Sequence, residues 1–94
     1  MAAMAVIQAH TIFKGHVQGV GFRFTAQRLA TNLGVCGWVK NLPNGDVEIV
    51  AEAEQPAVDV FLEKIRNHFS RYIVDEKIQI VQPVTRLNDF DIRF

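Results

Sequence analysis

Acidic residues are missing from the first 45 positions of this 94-residue chain, and cysteine is nearly missing from all of it. One cysteine, Cys36, excludes an internal disulfide and leaves no metal-ligand set of the usual kind. The three histidines, His10, His16 and His68, are scattered too far apart in sequence to suggest a ligand cluster. No Ser-His-Asp grouping is indicated, and Cys36 reads as a packed thiol rather than a nucleophile. No cofactor is expected. The opening MAAMAVIQAH lacks a basic leader and is interrupted by Gln8 and His10, so it reads as neither a signal peptide nor a membrane span. A cytoplasmic location is the resulting expectation. No repeat, low-complexity stretch or linker divides the chain, which predicts one domain over residues 1–94.

What is present is unevenly distributed. Residues 1–45 carry Lys14, Arg23, Arg28 and Lys40 without any acid, whereas residues 46–94 carry six basic and ten acidic residues. The first half would attract an anion, although a fold that interleaves the halves could blur the field.

Within that basic half, residues 15–23 read GHVQGVGFR, with Gly15, Gly19 and Gly21 ahead of Arg23. Glycine lets backbone N–H groups approach an anion closely, a helix start adds its positive dipole end, and a guanidinium offers paired donors to phosphate oxygens. The bland alternative is a tight strand-to-helix turn. Two other glycine-rich loops fail outright. A dinucleotide fingerprint needs glycine where Phe24 stands, and a Walker loop needs a Gly-Lys pair that no position here provides.

Periodicity supplies the frame. Ile7, Ala9, Thr11 and Phe13 fall on one face of a strand. Phe22, Ala26, Leu29, Ala30 and Leu33 repeat at helical spacing, with Gly34 as the C-cap. A strand near Val35 to Lys40, a turn at Pro43-Asn44-Gly45, and a strand alternating Val47, Ile49, Ala51 and Ala53 with Asp46, Glu48 and Glu52 make a hairpin. Pro56 opens a second helix with the stripe Val58, Phe61, Leu62, Ile65 and Phe69. Ile78 and Ile80 mark a fourth strand, and Phe90 and Ile92 a short edge strand. This order predicts an α+β, ferredoxin-like (split βαβ) sandwich, an antiparallel sheet with two helices on one face and a core of aliphatic residues from the strand and helix faces. Trp38 and Phe24 are expected to serve mainly as packing residues.

The GHVQGVGFR block, with GWVKN at 37–41 and the turn that follows it, closely resembles the two signature blocks of the acylphosphatase family. The likeness runs from about Ile7 to Ala53, with an echo in the terminal DFDIRF. It weakens at Ala53, where the family commonly has glycine, and at 68–72, where HFSRY replaces a Gly-Pro turn. The resemblance implies hydrolysis of acyl phosphates to a carboxylate and inorganic phosphate by metal-free in-line attack of water. It implies that Arg23 binds the phosphoryl group, that Asn41 holds the attacking water, and that Gly15, His16, Val17, Gln18, Gly19 and Val20 form a cradle with inward amides. The chemistry suits so sparse a set: a carboxylate leaving group, with a conjugate-acid pKa of about 4, needs no general acid, and a loose phosphoryl transition state needs mainly positioning and charge.

The expected partner is thus a small-molecule acyl phosphate, with neither nucleic acid nor membrane, and a monomer in solution. RNA binding fits poorly because DVEIVAEA is acidic and lacks stacking aromatics. A non-catalytic or carbamoyl-phosphate-directed anion-binding module, like the related domain of hydrogenase-maturation carbamoyltransferases, remains the alternative. The end of the chain at Phe94 favours a freestanding enzyme.

Overall fold

The computed structural model describes residues 5–83 and 85–94. Residues 1–4, the start of the segment read as neither leader nor span, lie outside the described residues. Strand β1 (Val6–Gly15) leads to helix α1 (Phe22–Leu33), strands β2 (Cys36–Asn41) and β3 (Val47–Glu54), helix α2 (Gln55–His68), and strands β4 (Ile73–Val81) and β5 (Phe90–Arg93). The sheet runs β4-β1-β3-β2-β5. It is a ferredoxin-like sandwich, with α1 and α2 packed over β1, β2, β3 and β5. Among the described residues, no helix is long and apolar enough to cross a membrane.

The expected alternation of β1 holds. Ile7, Ala9, Thr11 and Phe13 are all buried beneath the helices, and their registered partners on β3, Ala53, Ala51, Ile49 and Val47, extend that layer. Ala26 and Ala30 of α1, with Val58, Phe61, Leu62 and Ile65 of α2, complete the core. The ring of Phe22 stacks on Phe69 at 4.3 Å and tilts against Phe13 at 5.5 Å. The first residue of α1 is thereby anchored to β1 and to the end of α2. Gly34 ends α1 in the left-handed region, as expected of a glycine C-cap.

Three expectations change. The sheet is mixed rather than wholly antiparallel, because β5 pairs parallel to β2. This follows from topology: β4 and β5 occupy opposite edges, so the connection between them crosses the sheet before β5 begins. That crossing segment also covers Glu52, which alternation assigned to a polar face. Glu52 is 2% exposed, accepts from the backbone N–H of Leu87 at 2.7 Å and from Gln8 at 3.1 Å, and so has its burial compensated. Finally, Ile78 and Ile80 do not join the core. They are 47% and 49% exposed on the edge strand β4, beyond the reach of the helices.

Candidate active site

Two glycines make the turn from β1 into α1. Gly19 and Gly21 both adopt φ +77°, and a Cβ at either would meet nothing within 4 Å. Their requirement is therefore conformational rather than steric. Gly21 is the N-cap of α1 and brings no side chain to cap it, and no acid stands in the first turn. The first helical bond runs from the Thr25 N–H to the Gly21 carbonyl at 3.0 Å. The N–H groups of Phe22, Arg23 and Phe24 consequently have no intrahelical acceptor, and the positive end of the helix is left unneutralised.

Beside this helix start lies a cleft of about 220 Å³. The connecting turn contributes Val17, Gly19 and Gly21, and α1 contributes Phe22, Arg23 and Phe24. The far wall is Asn41 from the end of β2, with Ile92 and Phe94 from the last segment. Arg23 and Asn41, distant in sequence, therefore share one cleft.

Both carry unused bonding capacity. Among the described residues Arg23 forms no salt bridge with an acid, and its Cζ sits 4.8 Å from the ring centroid of Phe94. An aromatic face covering a guanidinium leaves the in-plane N–H donors free. The Oδ1 of Asn41 is buried with no hydrogen-bond partner in the protein, one of only two such side-chain atoms among the described residues, the other being Thr11 Oγ1. A buried acceptor without a donor costs free energy, so such an atom at a cleft wall marks a place for a ligand or water.

The turn that follows Asn41 is rigid by construction. The Leu42 N–H donates to the Asp46 carbonyl at 2.8 Å and the Gly45 N–H to the Leu42 carbonyl at 3.1 Å, a three-residue hairpin loop with Gly45 at φ +97°. Asn44 bonds Asp46 through both backbone and side chain, and the Asp46 carboxylate pairs with Lys14 at 2.9 Å. The hydrogen bond from Lys14 holds the Asp46 carboxyl below its usual range, more than burial raises it.

The residues expected in the cradle divide by location. Val17 and Gly19 line the cleft. Gly15 sits where a Cβ would lie 2.1 Å from the Tyr72 carbonyl oxygen, and the His16 N–H donates to that same oxygen at 2.9 Å. Gln18 sends its side-chain amide to the Leu42 and Asp46 carbonyls at 2.7 and 2.9 Å. Val20 packs against the core. The loop is thus tied to β4 on one side and to the hairpin on the other. Phe24 departs from its expected packing role: it is 73% exposed and lines the cleft. Ile92 and Phe94 carried no sequence signal as wall residues, since only the parallel docking of β5 on β2 brings them there. Among the described residues no three His, Cys, Asp or Glu side chains converge.

The architecture is that of a ferredoxin-like domain with a cleft at the first helix start that brings Arg23 and Asn41 together. The acylphosphatase family profile matches residues 9–92, and the chain belongs to that family. An acylphosphatase of Bordetella parapertussis is 54% identical over 57 residues, a match spanning 61% of each chain. The crystal structure of the acylphosphatase from Bacillus subtilis superposes with a TM-score of 0.85 at 32% identity, covering 94% of this chain and 99% of that one. Full-length HypF, in its phosphate- and nucleotide-bound form, contains a similar unit: TM-score 0.88, 26% identity, covering 99% of this chain and 12% of that one.

Proposed function

We propose that this chain is an acyl-phosphate hydrolase. The observation that carries the reading is the pairing, in one cleft, of a guanidinium and a buried carboxamide oxygen that, among the described residues, have no acidic partner and no donor respectively. The phosphoryl group binds at the helix start, held by Arg23 and by backbone N–H groups of the loop from Gly15 through Gly21. His16 contributes through the loop's shape, its N–H being bound to Tyr72. The Asn41 Oδ1 accepts a hydrogen bond from the attacking water and orients it in line with the leaving group.

The reaction balances without a cofactor. The water oxygen forms a bond to phosphorus as the phosphorus bond to the acyl oxygen breaks, and the carboxylate departs with the electron pair. The proton of the water passes to a phosphoryl oxygen of the substrate. Arg23 and the helix start stabilise the equatorial charge, and confinement in the cleft supplies orientation. A stable carboxylate leaves unaided. An alkoxide would need an acid, and among the described residues the cleft walls contain none.

Phosphate release from acetyl phosphate, with an alkyl phosphate ester as control, tests the reading. Turnover of the first alone is expected, and equal turnover of both would sink it. Arg23→Ala is expected to weaken phosphate inhibition and lower the rate by about 10²- to 10³-fold, the typical effect of removing one such donor. Asn41→Ala is expected to lower the rate while sparing phosphate inhibition. The likeness to HypF favours one other reading, an anion-binding module directed to carbamoyl phosphate or without catalysis. Phosphate binding with no turnover of acetyl phosphate would select it.

A further inference from the structure

One buried acid lies away from the cleft. Glu52 stands on the central strand β3, on the sheet face opposite Ala51 and Ala53, between its registered neighbours Gln8 of β1 and Cys36 of β2. Taking a carboxylate out of water is costly, and a neutral side chain of similar size would cover the strand at less cost. What the carboxylate holds gives the reason for it. Its Oε2 accepts from the backbone N–H of Leu87 at 2.7 Å and lies 3.5 Å from the Nε of Arg86, while its Oε1 accepts from the Gln8 amide at 3.1 Å. Arg86 and Leu87 are consecutive residues of the segment that crosses from β4 to β5.

We propose that Glu52 is a positioning residue for the hydrolysis: its carboxylate pins the crossing segment, and the pinned segment docks β5, which carries the far wall of the cleft. The inference rests on the hydrolase reading above. Strand β5 has four residues, lies at a sheet edge and pairs parallel with β2, so its own ladder is short and one-sided. Its place therefore depends on where the chain enters it. Unpinned, the whole connection from Val81 would be free, whereas the bond to Leu87 leaves only Asn88 and Asp89 ahead of Phe90, and the closure entropy of β5 docking shrinks accordingly.

The contacts beyond the pin run straight to the cleft. The Asp89 carbonyl accepts from the Gly37 N–H at 2.7 Å, the Phe90 carbonyl accepts from the Gln27 side chain of α1 at 3.1 Å, and the Arg93 guanidinium lies 4.5 Å from the ring centroid of Trp38 on β2. Ile92 and Phe94 of the same segment line the cleft together with Asn41. With β5 displaced, bulk water reaches Asn41 and the attacking water loses its fixed direction. The glycine turn and the start of α1 form the other wall and keep their place, and Arg23 loses the ring of Phe94 but not its charge. Loss of the pin thus lowers turnover more than phosphate affinity.

The experiment compares the parent with Glu52→Ala and Glu52→Gln, under conditions where circular dichroism shows all three folded. Glutamine keeps an oxygen for the Leu87 N–H, and Gln8 can turn its own amide to accept from the new NH₂ group, so the pin survives in neutral form. In Glu52→Ala, kcat for acetyl phosphate is expected to fall about tenfold, as misplacement remote from the chemistry can cause. Its inhibition constant for inorganic phosphate should change by about threefold or less, the scale of losing one ring over a guanidinium. Glu52→Gln is expected to restore kcat to near the parent value. Trp38, the one tryptophan of the chain, reports β5 directly: acrylamide quenching of its emission should rise in Glu52→Ala and stay parent-like in Glu52→Gln. Should the alanine variant fail to fold, Glu52→Asp, which keeps the charge but withdraws it from Leu87, serves with the same expected direction.

Parent-like kcat and quenching in Glu52→Ala would overturn the proposal. So would an equal loss of kcat in the alanine and glutamine variants, or a loss of kcat matched by phosphate binding with Trp38 unchanged. If the parent binds phosphate yet turns over no acetyl phosphate, the hydrolase reading falls and the positioning role falls with it, whereas an active parent with an equally active alanine variant removes the positioning role alone.

Discussion

The side-chain amide of Gln18 donates to the carbonyl of Leu42 at 2.7 Å, and so joins the glycine turn to the residue directly after Asn41. A second bond from the same nitrogen reaches the Asp46 carbonyl at 2.9 Å. One side chain therefore ties the glycine loop to the strand end that presents Asn41. The cleft has two walls from separate parts of the chain, and this is the cross-brace between them.

Gln18→Ala removes both bonds and leaves two carbonyls to find water. A stability loss of about 1–2 kcal/mol is expected from denaturant titration, within the range for two partly exposed hydrogen bonds. Turnover should fall further than stability implies, because Asn41 loses its fixed distance from Arg23. A variant with parent-like kcat at full folding would show that the brace has no bearing on the site.

Arg23→Lys retains the charge but not the planar fork. A fall in kcat/KM of about 10²-fold is expected, most of the loss seen with alanine, since a point charge cannot hold two phosphoryl oxygens in fixed geometry. Recovery of near-parent activity by lysine would mean that charge alone is used.

Two glycines of the same loop should behave differently. Gly15→Ala places a Cβ 2.1 Å from the Tyr72 carbonyl oxygen at φ +132°, so backbone must move, and a stability loss of about 2 kcal/mol or more is expected by thermal or urea unfolding. Gly19→Ala meets no atom within 4 Å and suffers only the left-handed conformation at φ +77°, a cost of about 1–2 kcal/mol. Its effect should fall mainly on activity. Equal destabilisation by the two would contradict the steric distinction.

The Lys14–Asp46 pair makes an acid-dependent contribution. Because the folded-state pKa of Asp46 is depressed from 3.8, the pair stabilises the fold fully above that value and loses its effect as pH falls through the lower folded value. Asp46→Asn is therefore expected to narrow its stability difference from the parent as pH drops below the ordinary aspartate range. A difference independent of pH would remove Asp46 from the acid response. Chelator treatment, by contrast, is expected to leave turnover as it is, and a loss restored by added metal would count against water attack without a metal.

Much of this could be read along the chain. Ile7, Ala9, Thr11 and Phe13 alternate because a strand has period two, and Gly34 ends α1 because a left-handed cap suits glycine. The turn at Leu42 to Asp46 was equally legible, its geometry carried by Asn44 and Gly45 within a few residues. Phe24 was not. Its neighbours Phe22 and Ala26 are buried, and a ring beside them suggests packing, yet it projects from the first turn into the cleft mouth. Glu52 and Ile80 misled in opposite senses, because alternation identifies the two faces of a strand but not what covers them.

Local order, element sequence and the identity of Arg23 and Asn41 as candidates are properties of the chain itself, since they depend on backbone conformation and side-chain chemistry within a few residues. The shared cleft, the bracing by Gln18 and the aromatic wall from Phe24 and Phe94 exist only after β5 docks beside β2 and α1 settles on Phe69. Those contacts join residues far apart in sequence, and no local interaction encodes the distance between them.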